Sequence, residues 1–413
     1  MFVCFIFIYL FKKKYLNNYS GTLRLEDLNP GIASSDPQNL ISFDGFLYYS
    51  AYTFLEGREL FKTTGEPGGS VMVSVVDDGI NPGILDANPS FLTAVGSSYL
   101  FFSATTKLDG RELLILLGSS IVSSPNSRLL TMIDIVPGQA SSNPGGYCSS
   151  GGQLPVYFFA STPEQGEELW KSDGTAIGTL LVKDINQASS SSSSSSSPRY
   201  LTWFRSKLYF QANDGIHGRE LWVSDGTAAG TVMLIDIQQG YPNGSPSYFT
   251  IMKSPLDGQD YIYFAATDGK YAMSLDNPVG YGGSQMWRSD GTLPGTQRAF
   301  DRTANDIYFD FPSLDARNYP ATFTVYKDGL YLPGNNGVHH VIIPSGLGSE
   351  IPDNIDNKGS AIYIDQALVV SDIDTPPNGN CTLVLEVSKG LLIVEAPEKS
   401  PSWSPNQLKV LIG

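Results

Sequence analysis

The sequence predicts an all-β protein, a β-propeller of about seven four-stranded blades whose last blades are degenerate. Three observations predict it. A tryptophan-bearing motif recurs at nearly even spacing, an aromatic strand precedes each copy, and the composition favours short strands joined by tight turns. Only 16% of the 413 residues are charged, while 42 are Gly and 26 are Pro. Such a chain suits many short strands better than long exposed helices.

The motif is clearest in EELWKSDGTAIGTLLVKDI (Glu167 to Ile185) and RELWVSDGTAAGTVMLIDI (Arg219 to Ile237), which agree at 12 of 19 positions. A third copy is SQMWRSDGTLPGTQRAFDR, from Ser284 to Arg302. Worn copies begin at Arg58 and Arg111. Within a copy, Glu168, Leu169 and Trp170 begin a strand. Asp173, Gly174 and Thr175 make the turn, with Gly free to take positive φ and Asp able to bond backbone two residues on. Leu180 to Ile185 form the return strand. Trp170, Trp222 and Trp287 fall at one place per unit and read as core packing between neighbouring units. Asp173, Asp225 and Asp290 read as turn formers. A calcium role for them is the sharper alternative, since that ion needs several converging oxygens.

The anchor Leu or Met recurs at Leu60, Leu113, Leu169, Leu221 and Met286, with spacings of 53, 56, 52 and 65 residues. Aromatic strands precede the anchors at Phe46, Tyr99, Val156, Lys207 and Tyr261, and Pro-marked segments such as PQNLIS and PSFLTA precede those. Each unit therefore holds a Pro-led, an aromatic, an anchor and a return strand, which is how a propeller blade reads in sequence. Beyond Leu330 the pattern weakens. LYLPGNNGVHHVIIPSG, AIYIDQALVVSD, TLVLEVSKG and LLIVEA supply two degraded units, and WSPNQLKVLIG reads as the beginning of another. The N-terminal segment Thr22 to Asp27 reads as a return strand able to pair with C-terminal strands, and closure would remove open sheet edges.

Two domains follow: an apolar and basic segment over 1–19, and the repeat domain over 20–413. Met1 to Phe11 are almost wholly apolar, with Lys12, Lys13 and Lys14 after them, the reverse of a secretory signal. The segment reads as part of a membrane anchor or as an incomplete gene start, and the second is preferred. Ser189 to Ser197 is an unbroken serine run, read as a flexible surface loop.

A formal net charge of −15 argues against nucleic acid, whose backbone needs clustered Lys and Arg. Three cysteines, Cys4, Cys148 and Cys381, make no disulfide framework, and at most Cys148 could bridge Cys381. No zinc spacing occurs, no metal is assigned, and no glycine-rich phosphate loop opens a helix. His217, His339 and His340 read as loop or surface residues. No cofactor is expected.

The motif copies resemble the ELWxxDGT repeat family, named for the residues that stand here at Glu168 to Thr175 and Glu220 to Thr227. The resemblance covers Leu28 to Arg302. It implies a β-propeller-like, extracellular or cell-surface repeat protein without an assigned reaction, and it carries over no catalytic residue.

Gly-Arg-Glu recurs at Gly57, Gly110 and Gly218, while the third unit has Gly166-Glu167-Glu168. A group present in most units belongs first to the unit's own hydrogen bonding. Arranged as a ring around a channel, the same residues would bind sugars or anions. Arg58, Arg111, Arg219, Glu59, Glu112, Glu168 and Glu220 are therefore the candidate binding residues.

The functional expectation is a non-enzymatic binding or structural repeat protein, monomeric, with a protein or glycan partner. Membrane contact would come only through the N-terminal segment. The alternative is a propeller-fold carbohydrate hydrolase with a site in the central channel. Charged residues that break the repeat at one channel mouth would favour the hydrolase. Equivalent residues from every blade would favour binding.

Overall fold

The structure is a computed structural model. It describes residues 24–73, 80, 86–121, 130–187, 194–254, 257–269 and 285–299, together with the backbone of six strands between 324 and 412. All regular elements among the described residues are strands.

Five consecutive sheets have four antiparallel strands each. Sheet 1 comprises β1 (Gln38–Phe43), β2 (Phe46–Thr53), β3 (Gly57–Thr63) and β4 (Ser70–Met72). Sheet 2 comprises β5 (Ser90–Val95), β6 (Tyr99–Thr106), β7 (Gly110–Leu117) and β8 (Leu130–Ile133). Sheet 3 comprises β9 (Gly145–Ser149), β10 (Val156–Thr162), β11 (Gly166–Ser172) and β12 (Leu180–Lys183). Sheet 4 comprises β13 (Arg199–Phe204), β14 (Lys207–Asn213), β15 (Arg219–Ser224) and β16 (Val232–Ile235). Sheet 5 comprises β17 (Ser247–Lys253), β18 (Asp260–Ala266), β19 (Gln285–Ser289) and β20 (Gln297–Arg298). Two three-stranded sheets follow, β21 (Thr324–Tyr326), β22 (Gly329–Gly334) and β23 (Gly337–Val341), then β24 (Cys381–Val387), β25 (Gly390–Ala396) and β26 (Lys409–Ile412).

The all-β expectation is met: the described residues form seven sheets, five with four described strands and two with three. The Pro-led, aromatic, anchor and return segments become the four strands in that order. Two details differ from expectation. Lys409–Ile412 pairs with β25, so the C-terminal segment completes the last sheet rather than beginning another. Residues 24–27 form no strand; the Leu25 carbonyl accepts the Gly68 N–H and the Glu26 carboxylate accepts the Ser70 N–H, which ties them to sheet 1. Residues 1–23 and AIYIDQALVVSD lie outside the described residues.

Successive sheets touch through their first strands: β1 lies beside β5, then β5 by β9, β9 by β13, β13 by β17, and β17 by β21. Antiparallel pairing fixes what each end of a sheet carries. The start of the first strand, the turn between strands two and three, and the start of the third strand share one end, here the leading end. The turn after the third strand lies at the far end.

Packing occurs between sheets. Tyr48 and Leu60 of sheet 1 meet Leu100, Phe102 and Leu114 of sheet 2. Phe101 and Ile115 of sheet 2 meet Phe158 of sheet 3. Tyr157 and Leu169 of sheet 3 meet Phe210 and Trp222 of sheet 4. Tyr209 and Leu221 of sheet 4 meet Phe264 and Trp287 of sheet 5. No single sheet can bury both its faces, so each depends on its neighbour. Trp222 and Trp287 are buried, whereas Trp170 is half-buried, at the edge of the cluster between sheets 2 and 3.

The far-end turns are as the sequence predicts. Asp173 Oδ1 accepts both the Thr175 N–H and the Thr175 hydroxyl. Asp225 with Thr227, and Asp290 with Thr292, repeat this arrangement. The Ser172 and Thr179 hydroxyls bond each other at 2.7 Å and close the loop.

The anchor glutamates are structural, which corrects their candidacy as binding residues. Glu59, Glu112, Glu168 and Glu220 are completely buried. Glu168 accepts N–H groups from Ile185 and Ser196. Glu112 accepts those of Ile135 and Ser142, and Glu220 those of Ile237 and Gly244. Glu59 accepts the Ile80 N–H. Each carboxylate thus ties its anchor strand to the return segment, and three of them also hold the connection into the next sheet.

The end of the serine run is part of this scheme. Ser195 Oγ accepts the Glu167 N–H, as Ser141 Oγ does for Arg111 and Asn243 Oδ1 for Arg219. The run therefore ends in residues with fixed partners, Ser195, Ser196 and Ser197, not in free filler, while 188–193 lie outside the described residues. Cys148 is a free thiol and forms no bridge to Cys381; burial pushes its pKa up to about 11.

Candidate active site

The leading end is where the inner strands begin, and each begins with a bulge. The register between the first and second strands slips in all five four-stranded sheets. The second residue of each inner strand has positive φ: Asn39 at 54°, Phe91 at 56°, Gly146 at 65°, Tyr200 at 58° and Tyr248 at 60°. Asn and Gly accept this conformation readily, but aromatic residues held there are strained by about 1–3 kcal/mol each. A bulge re-aims side chains, and strain of this kind clusters at functional sites.

The anchor arginines lie at the same end and differ from one another. The Arg58 guanidinium pairs with the Asp36 carboxylate at 2.7 Å. Arg111 donates to the Asn88 and Ser103 carbonyls and to the Ser90 hydroxyl, all neutral groups. The exposed Arg219 guanidinium makes no hydrogen bond or ion pair among the described residues. Of these three sequence candidates, Arg58 is held in its own ion pair, Arg111 meets neutral groups and Arg219 is exposed.

Sheet 3 breaks the pattern. Glu167 stands where sheets 1, 2 and 4 carry Arg and sheet 5 carries Ser284, and Arg199 begins the first strand of sheet 4 where other units carry Gln38, Ser90, Gly145 and Ser247. The two meet at 2.7 Å. The Arg199 guanidinium also lies 4.4 Å from the centre of the Phe159 ring, a cation–π contact.

Phe159 is itself a departure. The matching residues Ser50, Ser103 and Gln211 are polar, and Ala265 of sheet 5 is small. Ser103 donates to the Pro144 carbonyl and Gln211 to the Pro246 carbonyl, each joining the next sheet. Phe159 cannot make that bond. Its ring packs edge-on against Phe91 at 6.0 Å. Gly145 makes this possible, because a Cβ there would come within 2.8 Å of both rings.

Tyr200 and Tyr248 continue the aromatic row, with ring centres 5.6 Å apart. Burial and the neighbouring Tyr248 push the Tyr200 pKa up to about 12, against the opposing pull of Arg199 and Arg219. Its hydroxyl therefore stays protonated at neutral pH and can donate a hydrogen bond.

Sheets 2 to 5 thus bring together Phe91, Phe159, Glu167, Arg199, Tyr200, Arg219 and Tyr248 at one end of the inner strands. Sequence reasoning singled out only Arg219 of these. The signal that could have found the rest was departure from the repeat at aligned positions, which points away from the shared scaffold. No group of three metal-ligating side chains occurs among the described residues. The Oδ1 atoms of Asp173, Asp225 and Asp290 are engaged by their turn threonines. His217 pairs with Asp214 at 2.7 Å in the turn between β14 and β15, two residues before Arg219 and at the same leading end.

No family model matches the chain, and no curated protein matches it. Solved structures do. The chain is similar to a puromycin hydrolase at 12% identity and TM-score 0.37, over 89% of this chain and 55% of that one. It is similar to prolyl endopeptidases at 11% and 0.40, over 87% and 45%. It is similar to a Trypanosoma rangeli sialidase at 11% and 0.31, over 74% and 54%. The chain spans about half the length of these three proteins. At such identities no residue role is transferred.

The expected non-enzymatic binding or structural role is corrected here. The similar structures bear the names of hydrolases, peptidases and a sialidase.

Proposed function

We propose that the chain carries the propeller part of a hydrolase acting on carbohydrate, with its site at the leading end of the inner strands. The observation that carries this reading is the convergence of repeat-breaking residues. Sheets 1, 2 and 4 keep Arg at the position of Glu167 and a polar residue at the position of Phe159. Sheet 5 has the small Ser284 and Ala265 there, so of these five sheets only sheet 3 places an acid and a large ring. Here Glu167, Arg199 and Phe159 depart together and meet.

The chemistry suits a sugar. Aromatic faces at Phe91, Phe159 and Tyr200 offer stacking surface. The Tyr200 hydroxyl offers a donor. Glu167 offers one of the two carboxyl groups that hydrolysis of a glycosidic bond needs, and Arg199 keeps it in place. In this reading Glu167 is the catalytic carboxylate, and Arg199 is its positioning residue.

The test is release of reducing sugar from a panel of oligosaccharides by the purified chain and its Glu167→Gln variant. Expected is release by the parent and loss of at least about 100-fold in the variant. The variant should lose less than about 1 kcal/mol of stability, since Arg199 is well exposed and such pairs are weak. No release from any member of the panel, or equal release by both proteins, would overturn the reading.

A further inference from the structure

We infer that Phe91 is the platform on which a neutral sugar residue stacks, beside the carboxylate of Glu167. This rests on the carbohydrate reading above and names its substrate class and the residue that selects it.

Backbone and exposure are the first argument. Phe91 is held at a φ of 56°, where the matching residues of sheets 1 and 3 are Asn39 and Gly146. Asn and Gly take that conformation readily, whereas an aromatic residue kept there is strained. Burial does not account for the ring. Phe91 is 48% exposed, while Tyr200 is half-buried and Tyr248 buried. Of the three aromatic residues strained in this way, Phe91 is the one that faces solvent.

Its neighbours hold it in place. The Arg111 guanidinium donates to the hydroxyl of Ser90, the residue before it. Phe159 packs edge-on against it at 6.0 Å, and Gly145 leaves room for both rings. Arg199 lies over Phe159 at 4.4 Å and pairs with Glu167 at 2.7 Å. Successive contacts therefore join the platform to the proposed catalytic carboxylate. Arg199 occupies one face of Phe159, which makes Phe91 the more open ring.

Charge selects a neutral ligand. Three ion pairs at this end are closed: Arg58 with Asp36, Arg199 with Glu167, and Arg298 with Asp268. Beyond them the described turns and connections carry Glu56, Asp86, Asp109, Glu164 and Asp214. Asp134, Asp184 and Asp236 follow the return strands. Against these stand Lys107, Arg111 and Arg219, with His217 held by Asp214. Acids outnumber bases, so a carboxylate or sulfate on the ligand is repelled. The face of an aromatic ring is its negative side and attracts C–H groups. A pyranose with equatorial hydroxyls presents such groups on its flat face and carries no charge.

The test is calorimetric binding to the Glu167→Gln protein, so that turnover plays no part. The probes are neutral tetrasaccharides of glucose, galactose, mannose and N-acetylglucosamine, with tetragalacturonate as the acidic counterpart. Expected is binding of at least one neutral probe, at least tenfold tighter than of the acidic one. Phe91→Asn should weaken that binding at least tenfold, and Phe91→Trp should keep it. Asn39 stands at this place in sheet 1 with a φ of 54°, so the Asn variant suits the backbone. An unchanged circular dichroism spectrum and a cooperative melt check its fold, and Phe91→Gly, the residue of sheet 3, makes the same comparison. No binding of any neutral probe, equal binding of tetragalacturonate, or binding that survives removal of the ring would overturn the inference. Binding that depends on Phe91 without any hydrolysis by the parent would keep this inference and remove the enzymatic reading. Hydrolysis that depends on Glu167, with binding indifferent to Phe91, would do the reverse.

Discussion

The hydroxyl of Tyr157 on sheet 3 sits directly over Gly226 in the far-end turn of sheet 4, closer than any Cβ would allow. Gly226 has a φ of 88°, so the turn needs glycine for its backbone and the neighbouring sheet needs it for space. Tyr209 over Gly291 repeats the contact between sheets 4 and 5, where the Tyr209 hydroxyl also bonds the Gly291 carbonyl at 3.3 Å. The turn glycine is therefore a contact between units as well as a bend within one.

Gly226→Ala is accordingly expected to cost about 1–3 kcal/mol in urea unfolding. Tyr157→Phe removes the obstructing oxygen and should restore part of that loss in the double variant, a coupling above about 0.5 kcal/mol. Additive effects would mean that backbone strain alone limits the position.

The tryptophans should differ. Trp222 and Trp287 are buried between sheets, and Trp222→Ala should cost about 3–5 kcal/mol. Trp170 is half-buried, so Trp170→Ala should cost clearly less. Equal losses measured by denaturant titration would contradict this ordering.

The buried anchor glutamates make stability depend on pH. Burial outweighs their hydrogen bonds and raises Glu168 and Glu220 to about 7, from an ordinary value of 4.5. Between those values the folded protein holds protons that the unfolded chain has released. Stability should therefore fall as pH rises from about 4.5 to 7, by up to about 1.4 kcal/mol per pH unit for each group. Unfolding titrations at pH 5 and pH 7.5 check this, and Glu220→Gln should flatten the difference. A protein more stable at pH 7.5 would show that the N–H bonds to these carboxylates outweigh burial.

Much of the fold was legible in the chain because a repeat is local information. The aromatic strand, the anchor and the Asp-Gly-Thr turn each follow from side-chain size, alternation and φ preference within a few residues. On that basis Asp173 is expected to cap its turn and Trp222 to face the interior, and the structure has the Asp173 carboxylate on Thr175 and Trp222 buried. The anchor glutamates, candidate ligand residues from sequence, are instead buried structural groups. Their partners are backbone N–H groups 17 to 30 residues away, such as Ile185 for Glu168 and Ser142 for Glu112, and local pattern does not reveal them.

The sequence by itself determined the unit: four short strands, a tight turn, and a greasy face that one sheet cannot cover alone. Only the tertiary structure decided where the units differ in a way that matters. Glu167 and Arg199 are 32 residues apart, and Phe91 lies far upstream of both, yet they converge because successive sheets touch through their first strands. Local physics fixes each strand, whereas adjacency between sheets is set by which apolar faces bury one another, and that adjacency assembles the site.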